Sequence, residues 1–360
     1  MVTYNFSSGP AVLPDEVLAE IRDDLPEWNG TGLSVMTVSH RSPEFMAVMA
    51  SADERLRRLL AIPDDYAVLF LQGGAMGQFA GIPLNLTDPG ETIATIITGH
   101  WSETARREAE RMGLEVAVVA DEKGSRYTTV PDPASLVIPS GARYLSYTPN
   151  ETIGGVEFPY VPDSAGIPLV ADASSQILST EVDVARFGLI YAGAQKNLGI
   201  AGVTVVIVRR DLIGHARPGC PSVLDYARQE AQGSLLNTPP TFPVYVLERV
   251  LAWAERQGGV PALRAAVERR ATRLYRLIDA SQLYANPVDP SCRSTKNIPF
   301  TLRDPSLDAA FLAESQAAGL AFLAGHRSVG GMRASLYNAM TDAGVEALCG
   351  FMEDFEDRHR

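Results

Sequence analysis

Between about residue 60 and residue 210 the chain alternates short, mostly apolar runs rich in β-branched residues with stretches of helical spacing, and this rhythm restricts the fold more than any other feature. The runs are 67–71 (AVLFL), 92–98 (TIATIIT), 114–120 (LEVAVVA), 143–148 (RYLSYT), 168–173 (PLVADA), 188–194 (GLIYAGA) and 203–208 (VTVVIV). Several are continuously apolar, as strands covered on both faces must be, whereas half-solvated strands alternate. Between the second and third runs, WSETARREAERMG sets Trp101, Ala105, Ala109 and Met112 at helical spacing, with Arg and Glu on the opposite face. This β-α-β order predicts an α/β fold with a mostly parallel, seven-stranded sheet and helices on both sides. Only eight residues, 195–202, separate the last two runs, which favours an antiparallel neighbour there.

The texture changes after residue 245. VYVLERVLAWAERQGG reads as a helix stopped by Gly258 and Gly259, and Pro261 opens a long amphipathic helix through Ile278. Two short strand candidates, KNIPFTLR and GMRASLY, precede a final helix with Val345, Leu348, Met352 and Phe355 on one side and Thr341 as its cap. A length of 360 residues suits about two domains at roughly 150 residues each. The expected division is an N-terminal arm at 1–15, a large domain at 16–255 and a smaller α+β C-terminal domain at 256–360.

Charge excludes some functions. Lys and Arg number 31 against 43 Asp and Glu, a net of −12, which argues against nucleic acid and anionic membrane surfaces as partners. A small anionic substrate stays open, because a few local cations outweigh a distant net charge. Cys220, Cys292 and Cys349 are far apart and form no CxxC, so neither a disulfide framework nor a zinc site is expected, and a reducing cytoplasm suits the count. The opening MVTYNFSSGP lacks the basic and apolar regions of a secretory signal. The longest strongly apolar run, 203–208, is far too short to span a bilayer.

Most catalytic motifs are missing: there is no G-x-G-x-x-G after the first strand, no phosphate-binding G-x-x-x-x-G-K-[ST], no H-E-x-x-H and no G-x-S-x-G. Three features fit together instead. Lys196 follows an apolar strand in YAGAQKN, Asp172 ends another in PLVADASS, and QGGAMGQF follows the first strand and opens a helix. Each alone has an ordinary reading, as a solvated terminus, a turn aspartate and a tight connection. Together they meet the needs of pyridoxal phosphate: an amine to hold the aldehyde, a carboxylate to keep the pyridine nitrogen protonated, and backbone N–H groups at a helix start for the phosphate. An open parallel sheet brings all three to the carboxyl ends of its strands. Trp101, just after the second strand, could stack on the ring.

At these residues the chain resembles the phosphoserine aminotransferase family, class V aminotransferases of fold type I that use pyridoxal phosphate. The resemblance runs from end to end, through FSSGPAVLP, SHRS, PNETIGG, ADASSQILS, YAGAQKNLG, LNTPPTF and GHRSVGGMRASLYNAM. It implies that Lys196 forms the Schiff base, that Asp172 pairs with the pyridinium, that Trp101 stacks on the ring and that Thr152 hydrogen-bonds the ring hydroxyl. It also implies that the backbone of Ala75 and Met76, with Gln195, holds the phosphate. Asn237 and Thr238 would complete the phosphate cup of a partner subunit, which implies a homodimer with composite sites. Arg41, His326, Arg327 and Arg333 match positions that bind the substrate's phosphate and carboxylates, and Ser8 belongs to the matching N-terminal motif. Where many relatives carry an arginine, this chain has Met76.

The residues themselves agree on the cations: from Ala324 to Leu336 lie His326, Arg327 and Arg333 with no acid, a local reversal in an acidic chain. Arginine forks suit carboxylate and phosphate. The implied reaction is a ping-pong transamination between L-glutamate and 3-phosphohydroxypyruvate that yields 2-oxoglutarate and O-phospho-L-serine, a step of L-serine biosynthesis. Some relatives also process 4-phosphooxy-L-threonine in pyridoxine biosynthesis. The competing expectations are another class V enzyme, of the alanine–glyoxylate or serine–glyoxylate type, and a non-catalytic cofactor-binding module, which the substrate arginines disfavour.

Overall fold

The structure, a computed structural model, describes residues 2–359. The seven apolar runs form one sheet: β1 (Tyr66–Leu71), β2 (Thr92–Ile97), β3 (Glu115–Asp121), β4 (Leu145–Tyr147), β5 (Leu169–Asp172), β6 (Leu189–Gly193) and β7 (Thr204–Arg209). Their spatial order is β1-β7-β6-β5-β4-β2-β3. Every neighbouring pair is parallel except those of β7, which runs antiparallel to both β6 and β1. Two reversals restore direction, so β1 points the same way as β2 to β6. The eight-residue connection that suggested an antiparallel neighbour is the one between β6 and β7.

Helices cover both faces: α1 (Asp15–Asp24), α2 (Pro43–Leu60), α3 (Gly74–Leu86), α4 (His100–Arg111), α5 (Tyr226–Ala231), α6 (Thr241–Arg256) and α7 (Gly259–Ala280). Strand alternation divides the burial. Val205 and Ile207 face a core built with Phe45, Leu56, Val246 and Leu251, whereas Val206 and Val208 face a second core with Phe79, Ile82 and Ala109. Helix α2 illustrates the local reasons for an element. Ser42 caps its first turn by accepting the N–H of Phe45, Pro43 sits where no donor is needed, and Phe45, Met49, Ala52, Leu56 and Leu60 make one buried stripe. Helix α7 starts at Gly259, two residues before the proline expected to open it; Pro261 lies in the first turn, where its missing N–H costs nothing.

A second sheet follows, with β8 (Tyr284–Ala285), β9 (Asn297–Leu302) and β10 (Met332–Ser335) antiparallel in that order. It packs with α8 (Asp308–Ala317), α9 (Asp342–Arg358) and the second half of α7 around its own core. The first half of α7 contributes Val260 and Leu263 to the core of the large sheet, so one helix serves both cores. The N-terminal arm is tied to the smaller unit: Tyr4–Asn5 pairs in parallel with Leu320–Ala321, and Phe6 is buried in that core. Among the described residues no helix is long and apolar enough to cross a membrane, no group of three His, Cys, Asp or Glu could hold a metal, and the cysteines are free.

Phe311 sits at the centre of the smaller core, fully buried, with the rings of Tyr284, Phe300, Phe351 and Phe355 at 5.2 to 5.9 Å. Phe311→Ala is therefore expected to lower unfolding stability by about 3–5 kcal/mol. Urea denaturation measures this, and a loss under about 1 kcal/mol would contradict the packing described.

Candidate active site

The parallel strands end together, and the segments that leave them make one cavity. Asp172 is the last residue of β5, and Lys196 stands three residues beyond the end of the adjacent β6. Thr152 follows β4, Trp101 opens α4 after β2, and Ala75 and Met76 open α3 after β1. All of these, with Gln195, line the same cavity. This is the place where an open α/β sheet gathers ligands.

The turn into α3 is shaped for an anion. Gly73 has φ +97°, and a Cβ there would stand 3.3 Å from the Cα of Gly77, so a side chain at this position is both strained and crowded. No side chain caps α3. The N–H groups of Gly74, Ala75 and Met76 thus have no intrahelical partner, and all three residues line the cavity.

Lys196 is one of three lysines in the chain, with Lys123 and Lys296. Its Nζ donates to Thr152 Oγ1 at 2.8 Å. Burial pulls the amine down to about 8, against the pull of Asp172 and Glu151, which favour the ammonium; Arg333 reinforces the fall. Asp172 is moved the other way. Burial raises its carboxyl above the usual range, while Ser174, whose N–H donates to Asp172 Oδ1 at 3.0 Å, and the Lys196 charge oppose the rise.

Above the pocket lie the arm and β10. Arg333, on β10, is 9% exposed and donates from Nη2 to Ser8 Oγ at 2.7 Å, while its Nε has no partner. The indole N–H of Trp101 is likewise buried without a partner. Ala11 N–H donates to the Gln195 carbonyl at 2.8 Å, so the arm lies along the Lys196 segment. His326 faces His100 with ring centroids 5.6 Å apart. Burial lowers its pKa, as do the charges of His100, Arg333 and Arg327. Arg327 is exposed on the same turn, and Met76 is 52% exposed at the mouth.

Seven residues named from the sequence are outside the cavity lining; Ser8, His326, Arg327 and Arg333 belong to the arm and the β10 side just described, and three more lie elsewhere. Arg41 is exposed just before the cap of α2. Asn237 and Thr238 are exposed beside the end of β1, where Gln72 Nε2 donates to the Thr238 carbonyl at 3.2 Å. Sequence reasoning missed others. Glu151 is fully buried against the start of α4. Tyr337 is buried, with its hydroxyl donating to the Ser8 carbonyl at 3.1 Å and receiving Asn297 Nδ2 at 3.2 Å. Both stand inside motifs quoted for other residues, PNETIGG and MRASLYNAM, and an acid next to Thr152 was the available signal for Glu151.

The unpaired donors of the α3 turn, the buried Asp172 and the half-buried amine fit a flat, phosphorylated, nitrogen-containing aldehyde; the orphaned N–H groups of Trp101 and Arg333 leave donors for an anionic substrate. Fold and pocket define a class of transaminating enzymes, and residues 3–348 match the family Aminotransferase class-V. Phosphoserine aminotransferases from Marinomonas sp. and Hahella chejuensis are each 52% identical over 356 residues, covering 99% of this chain and 99% and 98% of theirs. The solved phosphoserine aminotransferase of Bacillus circulans subsp. alkalophilus superposes with a TM-score of 0.97 at 43% identity over 99% of both chains. That of Trichomonas vaginalis, solved with pyridoxal phosphate bound, gives 0.93 at 37% identity over 98% of this chain and 99% of that one. The chain belongs to the phosphoserine aminotransferase family of class V aminotransferases.

The lowered amine has a direct readout. Reductive methylation with formaldehyde, followed by peptide mass spectrometry, is expected to label Lys196 with a pH midpoint near 8. A midpoint near the ordinary lysine value of about 10.4 would show that the amine is not desolvated.

Proposed function

We propose that this protein is a pyridoxal-phosphate-dependent phosphoserine transaminase that interconverts O-phospho-L-serine and 2-oxoglutarate with 3-phosphohydroxypyruvate and L-glutamate, in L-serine biosynthesis. The observation that carries the reading is the meeting of Lys196, Asp172 and the uncapped start of α3 in one cavity, in a chain 52% identical to named family members. The cofactor, when bound, supplies an electron sink that stabilises negative charge at the substrate's Cα.

The chain's residues do the rest. The α3 turn, with Gln195, holds the phosphate, and the helix dipole favours its charge. Trp101 covers one face of the ring. Asp172, kept from water, has as its partner a proton held at the ring nitrogen. Lys196 would hold the cofactor through its aldehyde group. The freed amine then takes the Cα proton, and a pKa near 8 leaves a useful neutral fraction at neutral pH. Thr152, which accepts from Lys196, can turn its hydroxyl to the ring oxygen once the amine moves. Arg333 grips a carboxylate. His326, Arg327 and Arg41 face the substrate's phosphate, and Met76 adds no charge to them. The two half-reactions run in alternation, glutamate donating the amino group and phosphohydroxypyruvate receiving it.

The same reading makes the protein a cytoplasmic homodimer. Asn237 and Thr238 stand exposed at the rim rather than in the wall of their own cavity, which suits a role in a partner's phosphate cup. It also divides the chain into the arm (1–15), the large domain (16–255) and the small domain (256–360), supported by the separate cores.

Lys196→Ala is expected to abolish covalent cofactor attachment and turnover; steady-state activity at the normal level would refute the assignment. Arg327→Ala is expected to raise KM for phosphoserine at least tenfold while the glutamate half-reaction changes little. Equal losses in both half-reactions would remove Arg327 from phosphate recognition.

A further inference from the structure

Glu151 is the most unusual charged residue that the reaction scheme leaves without a task. It lies in the short hairpin after β4, where Asn150–Glu151 pairs with Val156–Glu157, and it is fully buried. Its Oε2 accepts the Trp101 N–H at 3.1 Å, and its Oε1 accepts the Ser102 N–H at 2.9 Å and the Ser102 hydroxyl at 2.7 Å. The Ser102 oxygen is itself the acceptor for Thr98 N–H and Gly99 N–H, both at 3.1 Å, and its proton has the carboxylate at 2.7 Å as a nearer acceptor than the Gly99 carbonyl at 3.2 Å. Each hydrogen bond to the Glu151 carboxylate comes from a donor, which favours the ionised form, while burial, the larger effect, and the nearby Asp172 charge raise its proton affinity. The packing has no slack: a Cβ on Gly99 would stand 2.5 Å from Glu151 Cδ.

Two consequences meet in the cavity. The first turn of α4, which carries Trp101, is held from below by this carboxylate. The next residue along, Thr152, touches the Lys196 amine. The charges that face Lys196 are Asp172 from β5, Glu151 from the hairpin and Arg333 from β10, and the Tyr337 hydroxyl closes the group through Thr152.

We propose that Glu151 is a positioning residue, whose buried carboxylate clamps the start of α4, fixes Trp101 in the pocket wall and stands as a second anion beside the Lys196 amine. The proposal rests on the pocket being the cofactor site, but one of its tests does not. Glu151→Gln removes the charge at nearly constant volume and sets an amide N–H₂ against N–H donors. In the cofactor-free full-length chain, formaldehyde labelling of Lys196 is expected to shift its midpoint downward by about one unit, because loss of a neighbouring anion destabilises the ammonium. In chain loaded with pyridoxal phosphate, the pH midpoint of the bound cofactor's absorption band is expected to fall likewise, with cofactor affinity about tenfold weaker by fluorescence quenching. Ser102→Ala keeps the charge and loosens the clamp: affinity drops severalfold while the labelling midpoint stays. A folded E151Q chain with an unmoved labelling midpoint overturns the electrostatic half, and S102A with unchanged affinity overturns the clamp. If E151Q does not fold, Glu151→Asp takes its place: the shorter carboxylate keeps the labelling midpoint and weakens cofactor affinity, and the reverse pattern refutes the proposal. A wild-type chain that takes up no cofactor would sink the transaminase reading, while the labelling midpoint would still decide the charge of Glu151.

Discussion

A lysine amine and an aspartate carboxylate are held in one water-poor cavity, and the architecture around them answers to that arrangement. Taking either charge out of water is unfavourable, and each lowers the cost of the other. The result is an amine pulled down to about 8 and a carboxyl pushed up, both opposed by the neighbour's charge. The proton affinities of the two groups are thereby drawn toward each other by burial, without a change in residue type, as the proposed roles of base and proton-holding partner require.

Such a cavity has to be closed by something other than the sheet that founds it. The smaller unit provides the cover through a buried polar network. Asn150 Nδ2 donates to Asn297 Oδ1 at 2.9 Å, and Asn297 Nδ2 donates to Ser335 Oγ at 3.0 Å and to the Tyr337 hydroxyl. Asn338 N–H donates to Asn197 Oδ1 at 2.9 Å, next to the lysine. Buried polar networks of this kind favour one relative placement of two packed units, because a slip would leave several more groups unpaired. The arm completes the cover: Ser8 takes a hydrogen bond from Arg333, and its carbonyl takes one from Tyr337. An arm whose strand is only two residues long thus links Arg333 to the Gln195 side of the cavity.

Much of this was legible in the chain. Each apolar run became a strand of the large sheet within one or two residues, because strands buried on both faces leave continuous hydrophobic runs. The glycine turn, Asp172 and Lys196 could be linked because strand ends in an open parallel sheet converge, so their spacing along the chain did not obscure their nearness in space. Helices α1, α2, α5 and α8 are not signalled there: α1 and α2 lie before the rhythmic region, α5 is only 6 residues long, and α8 carries few regularly spaced apolar residues. Glu151 had only its place beside Thr152 to mark it, for a different reason. A buried acid is recognised by its donors, and those belong to a helix fifty residues earlier.

Composition, periodicity and residue type determined the layered α/β architecture and marked Lys196 and Asp172 as candidates, since hydrophobic burial and the chemistry of single side chains are properties that local sequence carries. Only the tertiary structure decided the charge states and the positions of the groups that act through others. The proton affinity of Lys196, the burial of Glu151 under α4 and the Arg333–Ser8 link all depend on distance and desolvation. Both are set by contacts between segments dozens to hundreds of residues apart.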